Sequence, residues 1–541
     1  MLTEDFCVQS REPIAVDAKL LETAKQGLPP RGVTDFLVHV FFHTVEANYY
    51  YMDRQEFMAR LSNWYENPAN DNLDPSFLCL LLIVLAMGSQ FAELEGSSPR
   101  VRTKSVSRNG HGMVFYLKAK SLLSDVVTQC SLESIQACFL MGLFLLPTNI
   151  SDLSYVYHGM ALKMAISAGL HRQIKETNLD QRVMHVRNRL WWSLYTSERR
   201  LTIFLDRPQS IHEEDIDTPL PEFSQELDLP QSENNVANLQ ASISLTRIFN
   251  QVVRVGRTVG FGNDIGENTI TTIRRTLDDW VERLPQQLKL ESLSPDMKSF
   301  RGAVHLHMNW NQIVIFMGRK SLLRQFRRCL SRRHDISQAE SSPLPALNDE
   351  GPITALEARL IQDCVSAAVK IIHLIDYLWK MGKLARFSFT DYNCCSMATL
   401  IIMVHEIAVQ QPLYPLYLET AMQAMTHMAT GCHNAGQALK LIQHLQRVFA
   451  GLKNKEPQER RSNHVGDNVS AFREWERELW QWTKMESRLA GVNHRTIARR
   501  HQGSMSRAIL KTEVLCLAEI SMILSATLKS TTFSMASGRT A

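Results

Sequence analysis

Asp278-Asp279-Trp280-Val281-Glu282 sets three carboxylates within little more than one helical turn, and hard oxygen ligands at that spacing suit magnesium held on a diphosphate. A second carboxylate set further along would have to close such a site, and no later segment supplies one. Solvated acids on an amphipathic helix are the competing reading. His39 and His43 stand four apart on a helical pattern, which lets two imidazoles share one metal, but there is no His-Glu-x-x-His and no third ligand nearby in sequence. Ordinary packed histidines are expected. His305 and His307, two apart, point to different helical faces. Gly260-Phe-Gly262-Asn-Asp-Ile-Gly266 follows a helical segment instead of a strand, so it reads as a turn between helices and not as a dinucleotide fingerprint. Cys394-Cys395 lies inside an apolar stretch and reads as core, not as a redox pair. With no P-loop and no nucleophile elbow, the chain offers no catalytic constellation, and a non-enzyme is expected.

Composition narrows the classes further. A net charge of +4 over 541 residues is too thin for a chain-wide electrostatic clamp on nucleic acid, and 45% hydrophobic with 21% charged residues is ordinary globular usage. The start MLTEDFCVQSREP has neither a basic head nor an apolar core, so no secretory signal is expected and the Asn149 and Asn468 sequons lose their meaning. The longest apolar run, Phe77 to Met87, is eleven residues, short of the roughly 18 that span a bilayer. A soluble, intracellular protein without a membrane partner follows as the expectation. The ten cysteines are scattered, and no two are separated by two residues, which suits reduced core thiols.

The elements that must carry these residues are helical throughout. Apolar periodicity predicts helices over 35–65, 75–94, 113–129, 132–146, 152–168 and 180–205, then over 237–258, 266–290, 301–330, 354–382, 390–408 and 418–452. Ser131 and Asp152 sit where N-caps belong. We therefore expect an all-α, multi-helix domain in two packed helical halves: a polar lead-in over 1–30, a first half over 31–225, a second over 226–452, and a loop, a Trp-rich helix and a basic tail over 453–541. An acidic, proline-marked connector near 221–236 is the expected hinge; its Phe223, Leu227 and Leu229 among acids faintly resemble an activation segment. Two basic stretches stand out: Arg100, Arg102, Lys104 and Arg108 in a loop without acids, and Arg327, Arg328, Arg332 and Arg333 toward the end of a helix. Solvated loop or phosphate contact competes for the first, and helix-end charge or nuclear import for the second.

The richest stretch is RNRLWWSLYTSERRLTIFLDRPQSIHEEDIDTPLP, from Arg187 to Pro221. Val183, Val186, Leu190, Leu194 and Leu201 recur at helical steps, so one face must be buried, while Arg187, Arg189, Arg199 and Arg200 are expected on the remaining surface. Two readings compete: a DNA-reading helix with arginines aimed at phosphate or guanine, or a scaffold helix pairing with acids such as Glu213, Asp215 and Asp217. Periodicity favours the scaffold.

Arg189-Leu190-Trp191-Trp192-Ser193-Leu194-Tyr195, Arg199, Arg207-Pro208, Ile211, Asp215-Ile216-Asp217 and Pro219-Leu220-Pro221 together resemble the central motif of the fungal-specific transcription factor domain, the middle homology region of fungal zinc-cluster regulators. Phe36 to Phe57, Ser131 to Ala137 and Gly159 to Arg172 extend the resemblance upstream; Leu277, Trp280, Leu284-Pro285, Leu288 and Leu306 to Asn309 extend it more loosely. Asp206 departs from it, since the family usually has glycine before the Arg-Pro pair, and is expected to alter a turn. The resemblance implies a nuclear regulator of transcription by RNA polymerase II. It also implies contact with co-regulators or the transcription machinery, and room for a small apolar effector and for a homodimer. The family's binuclear zinc cluster needs six closely spaced cysteines, which these residues do not provide, so DNA would be reached through an upstream cluster, through a partner, or weakly through the basic loops. No cofactor is expected within the chain. The enzyme alternative is a magnesium-dependent helical protein of terpene-cyclase type using Asp278, Asp279 and Glu282.

Overall fold

Helix-forming stretches separated by proline, glycine and short polar segments build seventeen α-helices and no strand among the described residues. The computed structural model describes residues 18–453 except 46, 67–73, 96–111, 149–150, 175–179, 230–234, 259–263, 339–351 and 410. The helices are α1 Ala18–Lys25, α2 Arg31–Val40, α3 Arg54–Glu66, α4 Pro75–Phe91, α5 Met113–Ser121, α6 Leu123–Gln129, α7 Leu132–Leu145, α8 Ser151–Ser167 and α9 Gln181–Phe204. They continue as α10 Gln225–Asp228, α11 Val236–Thr258, α12 Asp264–Glu282, α13 Phe300–Gln338, α14 Ala355–Lys380, α15 Phe389–Val409, α16 Pro415–Met428 and α17 His433–Lys453. The Trp-rich helix expected over 470–487 and the basic tail lie outside the described residues.

Local chemistry explains most of the boundaries. Asp74 caps α4 by accepting from Ser76 N and Phe77 N at 2.8 and 3.0 Å, with Pro75 in the first turn. Reciprocal capping boxes start α7 at Ser131–Ser134 and α14 at Thr354–Glu357. Asp152 is no cap; it lies in the first turn of α8 and meets Arg207 Nη2 at 3.5 Å. The single helix expected over 35–65 is instead broken by a π-helical turn at Phe41–Val45, and the lead-in contains α1, whose Ala24 is buried against the first core.

Two apolar cores result. The first gathers α2 to α9 around α4, which is buried along nearly its whole length; at Gly88 a methyl group would collide with Leu37 O of α2, so glycine sets that close approach. The second gathers α11 to α17 around α13, α14 and α15. α4 with the following turn (Pro75–Glu95) and α15 are long and apolar enough to cross a membrane, contrary to the run-length argument, yet 83% and 89% of their most apolar windows are buried inside the protein. Both serve as core helices.

The cores do not part at residue 225. Ile203 and Phe204 at the end of α9 belong to the second core, whereas Leu239 and Ile243 of α11 belong to the first, so these two helices cross the junction. The described residues of the acidic connector include a docked one: Leu227 is buried at 2%, although Phe223 and Leu229 are 55% and 68% exposed.

α9 ends in a Schellman turn. Arg207 N–H donates to Thr202 O at 2.9 Å and Asp206 N–H to Ile203 O at 3.4 Å, which places Asp206 at φ 50°, the left-handed region that glycine enters most easily. Asp206→Gly is therefore expected to raise stability by about 0.5–1 kcal/mol, read as a higher urea midpoint with an unchanged slope. A lower midpoint would mean that the aspartate side chain holds the turn.

Candidate regulatory site

The periodicity of α9 describes one face, but every residue from Arg189 to Phe204 is buried, while Val183, at the start of the expected face, is 39% exposed. Arg189 and Arg199, expected on the surface, are 2% and 1% exposed, and Arg200 is 9% exposed. Their partners also differ from those expected. Arg189 makes a bidentate pair with Asp228, Nη1 to Oδ1 at 2.8 Å and Nη2 to Oδ2 at 2.7 Å, and Nη2 also donates to Glu222 O. Arg199 reaches Glu198 Oε2 at 3.4 Å and donates to Ile211 O. Arg187 donates to Ala168 O at 2.7 Å. Among the described residues, neither Arg189 nor Arg199 nor Arg200 pairs with Glu213, Asp215 or Asp217. A guanidinium buried in this way is not presented to a phosphate; α9 is scaffold.

The rest of the motif fastens the returning chain onto α9. Trp192 Nε1 donates to Pro219 O at 2.8 Å, Tyr195 OH to Glu213 Oε2 at 2.6 Å, and Arg247 of α11 lies over the Trp192 ring while also pairing with Glu213. Burial, reinforced by Glu213, pushes the Tyr195 phenol up to about 12. Asp217 Oδ1 accepts from Gln173 N, and Pro221 O from Gln240 Nε2. Asp215 is exposed. Trp191 is fully buried, with its Nε1 lacking a hydrogen-bond partner.

Where the two cores meet lies a cavity of about 150 Å³. Its walls combine Arg200, Leu201 and Phe204 of α9 with residues around Tyr49, α4 and α7 on one side and α13 and α15 on the other. Arg301, His305, Asn309 and Gln312 recur at helical steps of four, four and three, so one polar stripe of α13 faces the cavity. Asp391, fully buried at the start of α15, meets His305 Nε2 at 2.6 Å and Arg301 Nη2 at 3.2 Å and accepts from Ala385 N. Burial works to raise the Asp391 carboxyl, but His305 and Arg301 outweigh it and hold it at about 2. Arg200 donates to Asn309 Oδ1, joining the cores. Sequence reading missed Gln312, Asp391 and Asp228, and named Asn309 without its partner, because each takes its meaning from a partner at least 39 residues away or from the cavity itself.

The other candidates resolve separately. His39 and His43 do have a third neighbour: Glu95, from the 3-10 turn after α4, meets His43 Nδ1 at 2.6 Å, accepts from Thr44 Oγ1, and forms with both histidines a cluster able to ligate a metal. Sequence gave no hint of it, since Glu95 lies 52 residues from His43. Asp278 pairs with Arg274 and Asp279 with Arg283 along α12, while Trp280 is the residue that turns inward, donating to Ser244 Oγ and Ala241 O. Asp278 and Glu282 are exposed, which is no diphosphate pocket. His305 and His307 do face apart, toward Asp391 and Leu288 O. The described cysteines are free and, apart from Cys130 and Cys329, buried; they offer no ligand set for a zinc cluster. Arg327 and Arg328 are half-buried on α13, Arg332 and Arg333 fall in its last turns, and Arg100, Arg102, Lys104, Arg108 and the glycines at 260 and 262 lie outside the described residues.

The described residues form a helical body whose arginine-rich helix serves as internal scaffold, with a polar pocket between two cores. Residues 38–282 match the fungal specific transcription factor domain. The chain is 32% identical over 471 residues to an uncharacterized transcriptional regulatory protein of Schizosaccharomyces pombe, covering 86% of this chain and 55% of that protein. It is 24% identical over 465 residues to the thiamine repressible genes regulatory protein thi1 of the same yeast, covering 85% and 56%, and 24% identical over 327 residues to activator of stress genes 1 of Saccharomyces cerevisiae, covering 57% and 33%. Residues 38–282 thus carry the fungal specific transcription factor domain, and the chain is similar over most of its length to these fungal transcriptional regulators. It spans about half the length of the first two curated relatives. The cyclase alternative finds no support among these relatives.

Proposed function

We propose that this chain is the regulatory body of a nuclear regulator of RNA polymerase II transcription, reaching DNA through a zinc-cluster segment or a DNA-binding partner. The observation that carries the reading is the burial of Arg189, Arg199 and Arg200 in α9: these arginines are spent on holding the returning chain and, through Arg200, on joining two cores, not on reading bases. The output is the arrangement of the cores. A co-regulator or small effector that prefers one arrangement shifts the population toward it, by as much as its affinities for the two differ. A homodimer and the basic stretch containing Arg327, Arg328, Arg332 and Arg333 as an import signal belong to the same proposal.

The test fuses the full chain to a heterologous DNA-binding domain in a yeast reporter strain. Reporter output should differ several-fold from that of the DNA-binding domain alone, in either direction, with the fusion in the nucleus. Output equal to that of the DNA-binding domain, from a fusion that is nuclear and folded, would sink the reading.

A further inference from the structure

Four arginines lie buried along α9 and the cavity, and three have a carboxylate. Arg189 has Asp228, Arg199 has Glu198, and Arg301 has Asp391. Arg200, 9% exposed, donates to the neutral Asn309 Oδ1, lies 5.8 Å from the Phe204 ring and is near enough to the Tyr49 phenol to act on it electrostatically; no carboxylate lies within ion-pair distance of it among the described residues. A charge withdrawn from water without a counter-charge is among the costliest arrangements a fold can hold.

A second, independent gap lies on the same wall. Gln312 is 1% exposed, and both its amide nitrogen and its amide oxygen lack a hydrogen-bond partner. Buried amides are nearly always satisfied, so two orphaned atoms on one side chain mark a place that expects polar company. Gln312 follows Asn309 by three residues on α13, about 4.5 Å along the axis, and Asn309 holds Arg200. The lone cation and the orphaned amide therefore border one space.

We propose that this cavity binds a small monocarboxylic acid, its carboxylate on Arg200 and a hydroxyl or amide of its body on Gln312. The charge count selects the class. Arg301 shares Asp391 with His305, which leaves Arg200 as the buried arginine without a carboxylate, and a monocarboxylate supplies one. A guanidinium fork matches a carboxylate geometrically. The pocket is partly open to solvent, and its inner volume of about 150 Å³ is comparable to an engineered cavity that accepts benzene, so on the order of six to ten non-hydrogen atoms fit inside it. Phe204, Leu201, Phe389 and Met87 supply apolar walls for the body of the acid. The sequence expectation of an apolar effector is thereby replaced by an anionic one. Because Arg200 belongs to α9 and Gln312 to α13, the acid would bridge both cores; its regulatory consequence rests on the function proposed above, but its binding does not.

The experiment is thermal unfolding and isothermal titration of the full chain with millimolar lactate, 3-hydroxybutyrate, benzoate and 4-hydroxybenzoate, against their primary amides and inorganic phosphate. At least one acid should bind and raise Tm, with its amide and phosphate inactive. Arg200→Met should weaken that binding at least tenfold while leaving the ligand-free Tm unchanged or higher, because an uncompensated charge is removed; Gln312→Leu should weaken it without unfolding the protein. No response to any of the four acids, equal responses to acid and amide, or a ligand-free Tm that falls for Arg200→Met would overturn the proposal. Binding without any change in the fused reporter keeps the acid site and counts against the regulatory reading. A responsive reporter with no acid binding does the reverse.

Discussion

Asp228→Ala is expected to destabilise the protein by about 3–5 kcal/mol, among the largest effects of a single substitution in the motif region. The carboxylate is 2% exposed and receives both outer nitrogens of Arg189 as well as Ser224 N at 2.8 Å. Its removal strands a guanidinium that is itself 2% exposed, with Glu222 O as its one remaining polar partner. The loss is read as a lowered urea midpoint, accompanied by faster proteolysis of the connector between Pro221 and Leu229. Arg189→Met combined with Asp228→Leu should recover most of the loss, since removing both charges abolishes the desolvation cost as well as the attraction. A single variant within about 1 kcal/mol of the parent would mean that the connector is held mainly by Trp192 and Gln240.

Trp191→Ala should cost a similar amount, about 3–5 kcal/mol, because a fully buried indole leaves a cavity that α9, tied at both ends, cannot close. The informative comparison is with phenylalanine. The Nε1 of Trp191 has no hydrogen-bond partner, whereas that of Trp192 donates to Pro219 O at 2.8 Å. Trp191→Phe therefore relieves an unpaired donor and trades it against lost volume, for a net cost below about 1.5 kcal/mol. Trp192→Phe orphans a carbonyl and exposes Arg247 to a weaker ring, so it should be the costlier of the two phenylalanine variants by roughly 1 kcal/mol. Parallel urea titrations of the three proteins give the answer directly. The reverse order between the phenylalanine variants would show that packing, not hydrogen bonding, ranks the two tryptophans.

Asp206, standing where the family usually has glycine, shows how far a linear reading reaches. The Arg-Pro pair behind it and the apolar rhythm ahead of it announce a helix stop, and the structure has a Schellman turn with a left-handed residue at that place. By contrast, the arginines of α9 were assigned to the surface because charged side chains usually are solvated, and three of them proved buried. Period alone cannot reveal this, since a helix covered on all sides keeps the same apolar spacing while its polar face finds partners from distant segments. The break in the helix expected over 35–65 has a similar origin: the π turn at Phe41–Val45 leaves every apolar residue in place and changes only the backbone register.

What the sequence by itself determined is the helical class, most helix starts and stops, and the family, because caps, prolines and short-range periodicity act within a few residues and the motif is contiguous. Only the tertiary structure decided which charges are buried, that α9 and α11 join two cores, and that Arg200 and Gln312 share a wall. Those facts depend on segments such as α9 and α13, whose Arg200 and Asn309 are 109 residues apart, and on water excluded between them. Desolvation turns an ordinary arginine into an unmet demand for an anion, and that demand exists only once the chain has closed around it.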